Sequence, residues 1–277
     1  MNNLFKILPA IETASGLHLV AEADEVGISF GFFEKEPFAM KGLMLYQFEK
    51  NSTDELRASQ LEKIFVTELI FKQTFLSVCF CSNVSEVVLI PKKYFTDQDA
   101  ASMLSLQFAN TDNKPVSHAV AEEINATLIY YAEKQVEEIW KKFHLSSSFT
   151  HSSVLQIRNI SNDKTLMACI ISAKHIKLFL YKNGNLQIII KSGYNTPADV
   201  VYQMLNTCSQ FAIEPDEVSI ILGGLIEEKS ALYQEIYKYF LQVTFDELSE
   251  NLLTEEMLQY PPHYFSTLTR LAQQCVS

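Results

Sequence analysis

Arginine is nearly absent from this chain of 277 residues: only Arg57, Arg158 and Arg270 occur, and the formal net charge is −11. A surface that tracks a phosphate backbone needs clustered cations to displace counterions, so this composition argues against nucleic acid as a partner. No apolar run approaches the roughly 20 residues of a membrane-spanning helix. The opening MNNLFKILPAIETASG holds one lysine and too short an apolar stretch for a secretory signal, so the expected location is the cytoplasm and the chain is not expected to span a membrane. Low-complexity tracts and blocks of like charge are missing as well. With hydrophobic residues at 48% and charged residues at 20%, the chain reads as globular throughout, with room for two lobes of ordinary size.

The five cysteines are an odd number, scattered through apolar segments. Cys79 and Cys81, in LSVCFCSN, fall on one face of a strand and would supply half of a metal site. No Cys or His pair with zinc spacing lies elsewhere, so they read as small residues packed in a strand. Cys169, Cys208 and Cys275 also sit in apolar surroundings, and reduced, buried thiols fit a cytosolic compartment.

The second half parses most readily. TLMACIIS (Thr165 to Ser172) has strand length, and HIKLFLYK (His175 to Lys182) alternates, with Ile176, Leu178 and Leu180 on one face. Asn183-Gly184 supplies the positive φ angles of a tight hairpin turn, and Leu186 to Ser192 returns as a third antiparallel strand. Thr196 then caps a helix with Pro197 in its first turn and Asp199 facing its positive end. Ala198, Val201, Leu205, Cys208 and Ala212 share one face of it. Val218 to Leu222 is apolar enough for a parallel strand covered on both sides. Ser230 to Leu241 follows as a helix with Leu232, Ile236 and Tyr239 to Phe240 facing inward.

The first half repeats that opening. Leu17 to Ala23 and Val26 to Glu34 form a hairpin, and Phe38 to Phe48 a third strand. Ser52-x-x-Glu55 has capping-box spacing for a helix running to about Phe75, with Ala58, Leu61, Phe65 and Leu69 on one face. Leu76 to Ser82 and Glu86 to Ile90 are apolar strands. Thr96-x-x-Asp99 opens a helix through Phe108; Ala126 to Ala132 is a strand; Glu133 to Phe143 is a helix carrying the single tryptophan, Trp140. FTHSS, Phe149 to Ser153, leads into a helix at Val154 to Ile160. The expected organisation is a first α/β lobe over residues 1–160, a second over 161–250, and a C-terminal helical segment, 251–277, packing back on the first.

A three-stranded meander, a crossover helix and a following strand, occurring twice, resembles the actin-like ATPase superfamily, built from paired ribonuclease H-like domains. VVLIP-x-x-YF (Val87 to Phe95), the passage ending in FTHSS, and YPPHYFSTL (Tyr260 to Leu268) resemble an uncharacterised family from Bacteroidetes with that fold. The resemblance implies an α/β, actin-like architecture of two ribonuclease H-like lobes. Each lobe would have a mixed sheet, a three-stranded antiparallel meander plus parallel strands, with flanking helices.

The superfamily places an Asp-x-Gly-Ser/Thr type phosphate loop at the first hairpin of each lobe and a later Gly-Gly loop against adenosine. Gly223-Gly224 falls where the adenosine loop would be. The phosphate loops do not match: the first hairpin reads Ala21-Glu22-Ala23-Asp24-Glu25-Val26-Gly27, and the second reads Ile171-Ser172-Ala173-Lys174-His175. Glycines let backbone N–H groups approach phosphates, a hydroxyl adds a hydrogen bond, and aspartates hold Mg²⁺ and its waters. Without those donors Glu22, Asp24 and Glu25 would repel a triphosphate unless a metal intervened, and Lys174, which could supply a charge to a phosphate, reads first as a solvated turn residue.

Other candidates have simpler readings. The six histidines, His18, His118, His144, His151, His175 and His263, are dispersed, and none pairs with another His or a Cys on a helix face. His151 has flanking hydroxyls, but Ser152 and Ser153 read as caps of the next helix. Asp97-x-Asp99 fits the first turn of a helix, where carboxylates face the macrodipole. Glu227-Glu228 can serve as base or metal ligands, or as exposed residues at a helix start. No carboxylate set of the nuclease type lies on the strands.

Two functions therefore stand open. One is a non-enzymatic member of the actin-like group, with no cofactor or metal, that binds a protein partner in an assembly; the resemblance supplies the parallel of cytoplasmic pilus-assembly proteins of this fold, which work in assemblies. The other is a weak ATP-binding or ATP-hydrolysing protein that uses ATP with Mg²⁺ and holds adenosine at Gly223 and Gly224. The cluster Tyr233, Tyr237 and Tyr239 offers aromatic side chains to an interface.

Overall fold

Alternating apolar residues near the N-terminus build an antiparallel meander of β2 (His18–Ala23), β3 (Gly27–Lys35) and β4 (Phe38–Gln47), with β1 (Asn2–Ile7) added at its edge against β4. These elements belong to a computed structural model, which describes residues 1–108, 114–158, 160–161 and 164–276. The chain then enters α1 (Asp54–Thr67), whose cap is Thr53 rather than Ser52: the Thr53 hydroxyl accepts from the Leu56 amide at 3.3 Å, while Ser52 bonds the Glu49 carbonyl. The helix ends at Thr67, short of Phe75, and a 3₁₀ turn follows. Ala58, Leu61 and Phe65 are buried as the spacing predicts, but Leu69 lies beyond the helix and is exposed.

β5 (Ser77–Ser82) returns parallel to β2, and the six-stranded sheet runs β1-β4-β3-β2-β5-β9. Between β5 and β9 (Ser147–His151) the chain makes β6 (Val87–Pro91), α2 (Ala100–Gln107), β7 (Val116–Ala121), β8 (Ala126–Tyr131) and α3 (Lys134–Phe143). The three strands β6, β8 and β7 form a separate antiparallel sheet. α4 (Ser152–Leu155) closes this region and stops well before Ile160.

The second meander is β10 (Leu166–Ile171), β11 (His175–Lys182) and β12 (Asn185–Gly193). Asn183 and Gly184 take φ angles of 50° and 75°, as a two-residue turn of this hand requires. α5 (Pro197–Gln210) carries the complete capping box, Thr196 accepting from the Asp199 amide and Asp199 from the Thr196 amide. Its buried face is Val200, Val201, Met204, Thr207 and Cys208, while Ala198 and Ala212 are exposed. The inward stripe is thus rotated from the expected one toward the larger apolar side chains. β13 (Ser219–Gly224) runs parallel to β10, α6 (Ala231–Tyr237) follows, and β14 (Gln242–Phe245) runs parallel to β13. Ile236 and Phe240 are fully buried, but Tyr239 points outward, 46% exposed. The last helix is α7 (Ser266–Cys275).

The strand orders β4-β3-β2-β5-β9 and β12-β11-β10-β13-β14 are the same pattern written twice: an antiparallel meander, a helix, then strands parallel to the meander's first. The described residues divide into two compact units. One comprises Met1–Gln156, Asn251–Glu256 and the chain from Leu268 onward; the other comprises Ile157–Glu250 and Met257–Thr267. Phe30, Phe65, Phe71 and Trp140 anchor the core of the first, with Phe30 and Trp140 stacked at 6.2 Å. Ile176, Leu178, Met204, Leu222 and Phe240 anchor the second. Each such side chain contributes about 1.5–3 kcal/mol by leaving water.

Candidate functional site

The turn joining β2 to β3 is closed by its own aspartate. Asp24 Oδ1 accepts from the backbone N–H of Val26 at 2.8 Å and of Gly27 at 3.0 Å, and the Asp24 N–H donates to the Gly27 carbonyl. Glu25 Oε1 accepts from the amide and hydroxyl of Ser85, at 3.1 and 3.0 Å. A phosphate-binding turn works by leaving amides unpaired toward the ligand. Here a carboxylate occupies the Val26 and Gly27 amides, and the turn is an Asx turn that carries negative charge.

At the turn joining β10 to β11, the Ser172 amide donates to the His175 carbonyl at 2.8 Å and the Tyr194 hydroxyl donates to the Ser172 carbonyl at 2.7 Å. Lys174 is exposed at its tip.

β13 ends on the glycine pair. Gly224 has φ +81°, and a Cβ there would lie 2.2 Å from the Ile171 carbonyl oxygen, which accepts from the Leu225 amide at 2.8 Å. Only glycine meets both demands without strain. Beside it, a Cβ on Gly223 would approach the Ser266 hydroxyl at 3.0 Å and Asp246 Cβ at 3.5 Å. Asp246, buried at the end of β14, is held by both ends of the Arg158 guanidinium at 3.2 and 2.8 Å.

Downstream of the pair lies a cavity of about 600 Å³, lined among others by Glu227, Glu228, Glu247, Glu250, Phe245 and His263. The His263 ring lies flat on Phe245 at 4.2 Å, and its Nε2–H donates to the Ile226 carbonyl at 2.6 Å. Burial lowers its pKa, against the opposing pull of that carbonyl and of Asp246. The Tyr264 hydroxyl donates to Glu227 at 3.1 Å, and burial together with that carboxylate pushes its pKa up to about 12. Four carboxylates and one cation, Lys229, line this space, so its lining is net negative.

The remaining sequence candidates separate. His151 is itself the N-cap of α4, in place of the two serines: its Nδ1 accepts from the Ser153 amide at 3.2 Å, so Nε2 carries the proton and donates to the Val84 carbonyl at 3.2 Å. Asp97 precedes α2 instead of lying in its first turn, and it meets His118 at 3.4 Å; Asp99 bonds Thr96. Glu227 and Glu228 are exposed and lie before α6. Cys169 and Cys208 are isolated thiols whose pKa is raised by burial, that of Cys208 to about 11. Cys79 and Cys81 do share a face, but a third sulfur joins them: Cys275 Sγ lies 2.7 Å from Cys79 Sγ, across 196 positions of sequence. Spacing arguments look only along one segment, so this partner was invisible to them. The Asx turn did leave a signal, in the Asp-x-x-Gly spacing of Asp24 and Gly27.

Among solved structures the chain is similar to a protein of Bacteroides thetaiotaomicron VPI-5482 with an actin-like ATPase fold and unknown function, with TM-score 0.76 and 15% identity, covering 96% of this chain and 99% of that one. It is also similar to a chain of the PilM-PilN type IV pilus biogenesis complex, with TM-score 0.65 and 11% identity over 95% and 99% of the two chains. A third likeness is to the cytoplasmic domain of EpsL, an inner-membrane component of the type II secretion system of Vibrio cholerae, with TM-score 0.50 and 12% identity over 90% and 98%. No curated protein matches the chain. The fold is therefore actin-like. Among the described residues no helix is long and apolar enough to cross a membrane. The model of DUF3822, a protein family of unknown function, matches residues 10–243, and the chain belongs to that family.

Proposed function

We propose that this protein acts without enzymatic turnover, as an actin-like scaffold that binds another protein in the cytoplasm. The observation that carries the reading is the Asp24 carboxylate seated on the Val26 and Gly27 amides, where a phosphate loop would leave them open. The residues present do not fit a triphosphate. The second turn offers neither an aspartate nor a glycine, and the space beyond Gly224 is lined by four carboxylates against one lysine, Lys229. Gly223 and Gly224 on this reading shape a turn instead of holding adenosine. The two units stand as degenerate ribonuclease H-like lobes kept for their shape.

Two structural neighbours support a binding role, since one is described as a complex and the other as a component of a secretion system. Exposed aromatic side chains supply a surface for it: Tyr237 and Tyr239 are 55% and 46% exposed, and Tyr233 stacks on Tyr237 at 5.9 Å. The scarcity of arginine favours a protein over nucleic acid. Five free thiols, four of them buried, suit a reducing compartment.

The test is phosphate release from ATP with Mg²⁺, run beside calorimetry of the partner recovered from native cells. We expect no release above buffer, and partner binding that weakens in Tyr237→Ala. Turnover by the purified chain, lost on substitution in either hairpin turn, would replace this reading with the ATPase one.

A further inference from the structure

β5 carries Val78, Phe80 and Ser82 on one face and Cys79 and Cys81 on the other. Phe80 enters the aromatic core against Trp140, with ring centroids 4.9 Å apart, which turns the two cysteines to the opposite side of the sheet. On α7, Leu268, Leu271 and Ala272 are buried, and Cys275 continues their stripe one turn on. The sulfurs of Cys79, Cys81 and Cys275 all lie within 4.8 Å of one another. All three residues belong to the first unit.

From this geometry we infer that Cys79, Cys81 and Cys275 form a site for a soft, thiophilic cation, Zn²⁺ or Cu⁺. Three observations carry it. Cys79 Sγ and Cys81 Sγ are 3.8 Å apart, and two thiolates on one tetrahedral zinc, each at about 2.3 Å from it, are separated by about 3.8 Å. Cys275 Sγ lies 2.7 Å from Cys79 Sγ, so the last helix brings a third sulfur to the pair, and it must part from Cys79 to share an ion with it. Third, Cys79 and Cys81 are buried while Cys275 is partly exposed, so the site has anchored ligands on a strand and a side open to an arriving ion.

A disulfide would employ two of these sulfurs and leave the third without a task, whereas a cation employs all three. Thiolate ligands select Zn²⁺ and Cu⁺ over hard cations. Three protein ligands satisfy three-coordinate Cu⁺, or leave one position on Zn²⁺ for a small external ligand. Each coordinating thiol gives up its proton to solvent, so binding releases protons and strengthens with pH.

The experiment uses the full chain, reduced and freed of metal, titrated with Co²⁺ as a spectroscopic probe and then with Zn²⁺. The expected result is one Co²⁺ per chain with a thiolate-to-cobalt charge-transfer band, displaced by one equivalent of Zn²⁺ and absent from Cys81→Ser and Cys275→Ser. Should a serine variant fail to fold, alkylation of the wild-type protein gives the same answer. Zn²⁺ should protect Cys275, the partly exposed thiol, from a thiol reagent while leaving the buried Cys169 and Cys208 unaffected. No band with the three thiols reduced, a band that survives Cys275→Ser, or reaction of Cys275 that Zn²⁺ does not slow would overturn the site. A Cys79–Cys275 disulfide that forms in air, in a protein whose reduced form takes no metal, would also overturn it and make the cluster a redox pair.

Discussion

Arg158 holds Asp246 through two hydrogen bonds, of 3.2 and 2.8 Å, at a residue that is 5% exposed and whose carboxylate lies 3.7 Å from the place a Cβ on Gly223 would take. One of the three arginines of the chain is thus committed to the turn after β13, and a second, Arg57, is paired with Glu133. Breaking a buried pair strands the remaining charge, at a cost of about 3–5 kcal/mol. Chemical denaturation should show a loss of that order for Asp246→Ala. The double variant Arg158→Met with Asp246→Leu should recover most of it. Equal losses in the single and double variants would mean that the pair is not coupled.

Gly224→Ala should cost about 1–3 kcal/mol from the left-handed backbone alone, and displacement of the Ile171 carbonyl should add to it. Gly223→Ala has no left-handed backbone to strain and meets the buried Ser266 hydroxyl at 3.0 Å, a contact that must give by a few tenths of an ångström, so it should cost less. Thermal melts of the two variants give the order directly. A milder effect at Gly224 would contradict the turn geometry.

His144 is buried, with no hydrogen-bond partner for Nε2, among Phe65, Phe75 and Trp140. Burial lowers its pKa to about 4. The unfolded chain therefore takes up this proton first as the pH falls. Stability from the neutral ring is complete above pH 6.5 and is lost between there and about 4, a swing on the order of 2–3 kcal/mol. Glu133, raised to about 7 chiefly by burial, works in the opposite direction, its contribution falling as pH rises from 4.5 to 7. The readout is therefore a difference. Stability of the wild type minus that of His144→Phe should rise with pH between about 4 and 6.5, and a flat difference would place the ring in water.

Asp24→Ala removes the acceptor for two turn amides and should lower stability by about 1–2 kcal/mol, measured by urea unfolding. Asp24→Asn keeps one acceptor oxygen and should retain part of it. If neither variant loses stability, the Asx turn contributes nothing to the hairpin.

The second meander was readable because its signals are local. Asn183-Gly184 sets the hairpin, Thr196 and Asp199 form the box, and Ile176, Leu178 and Leu180 alternate. β1, β7 and β14, with sequences NNLFKI, VSHAVA and QVTF, carry weak patterns and form because a sheet edge or a neighbouring strand is there to pair with them. A local bond of Ser52 to the Glu49 carbonyl left the cap to Thr53, and packing of the larger apolar side chains rotated α5. The site followed the same division: Gly224 announced itself in the sequence, whereas Asp246 beside Gly223 and Cys275 beside Cys79 come from distant segments.

Titration calorimetry of the wild-type chain with ATP and Mg²⁺ separates a scaffold from an ATPase. With the Val26 and Gly27 amides taken by Asp24, no saturable heat is expected, and no rise in melting temperature of the kind a ligand that binds only the native state produces. Saturable binding in the micromolar range, abolished by Gly224→Val in a protein that remains folded, would contradict this expectation and return Gly223 and Gly224 to an adenosine loop.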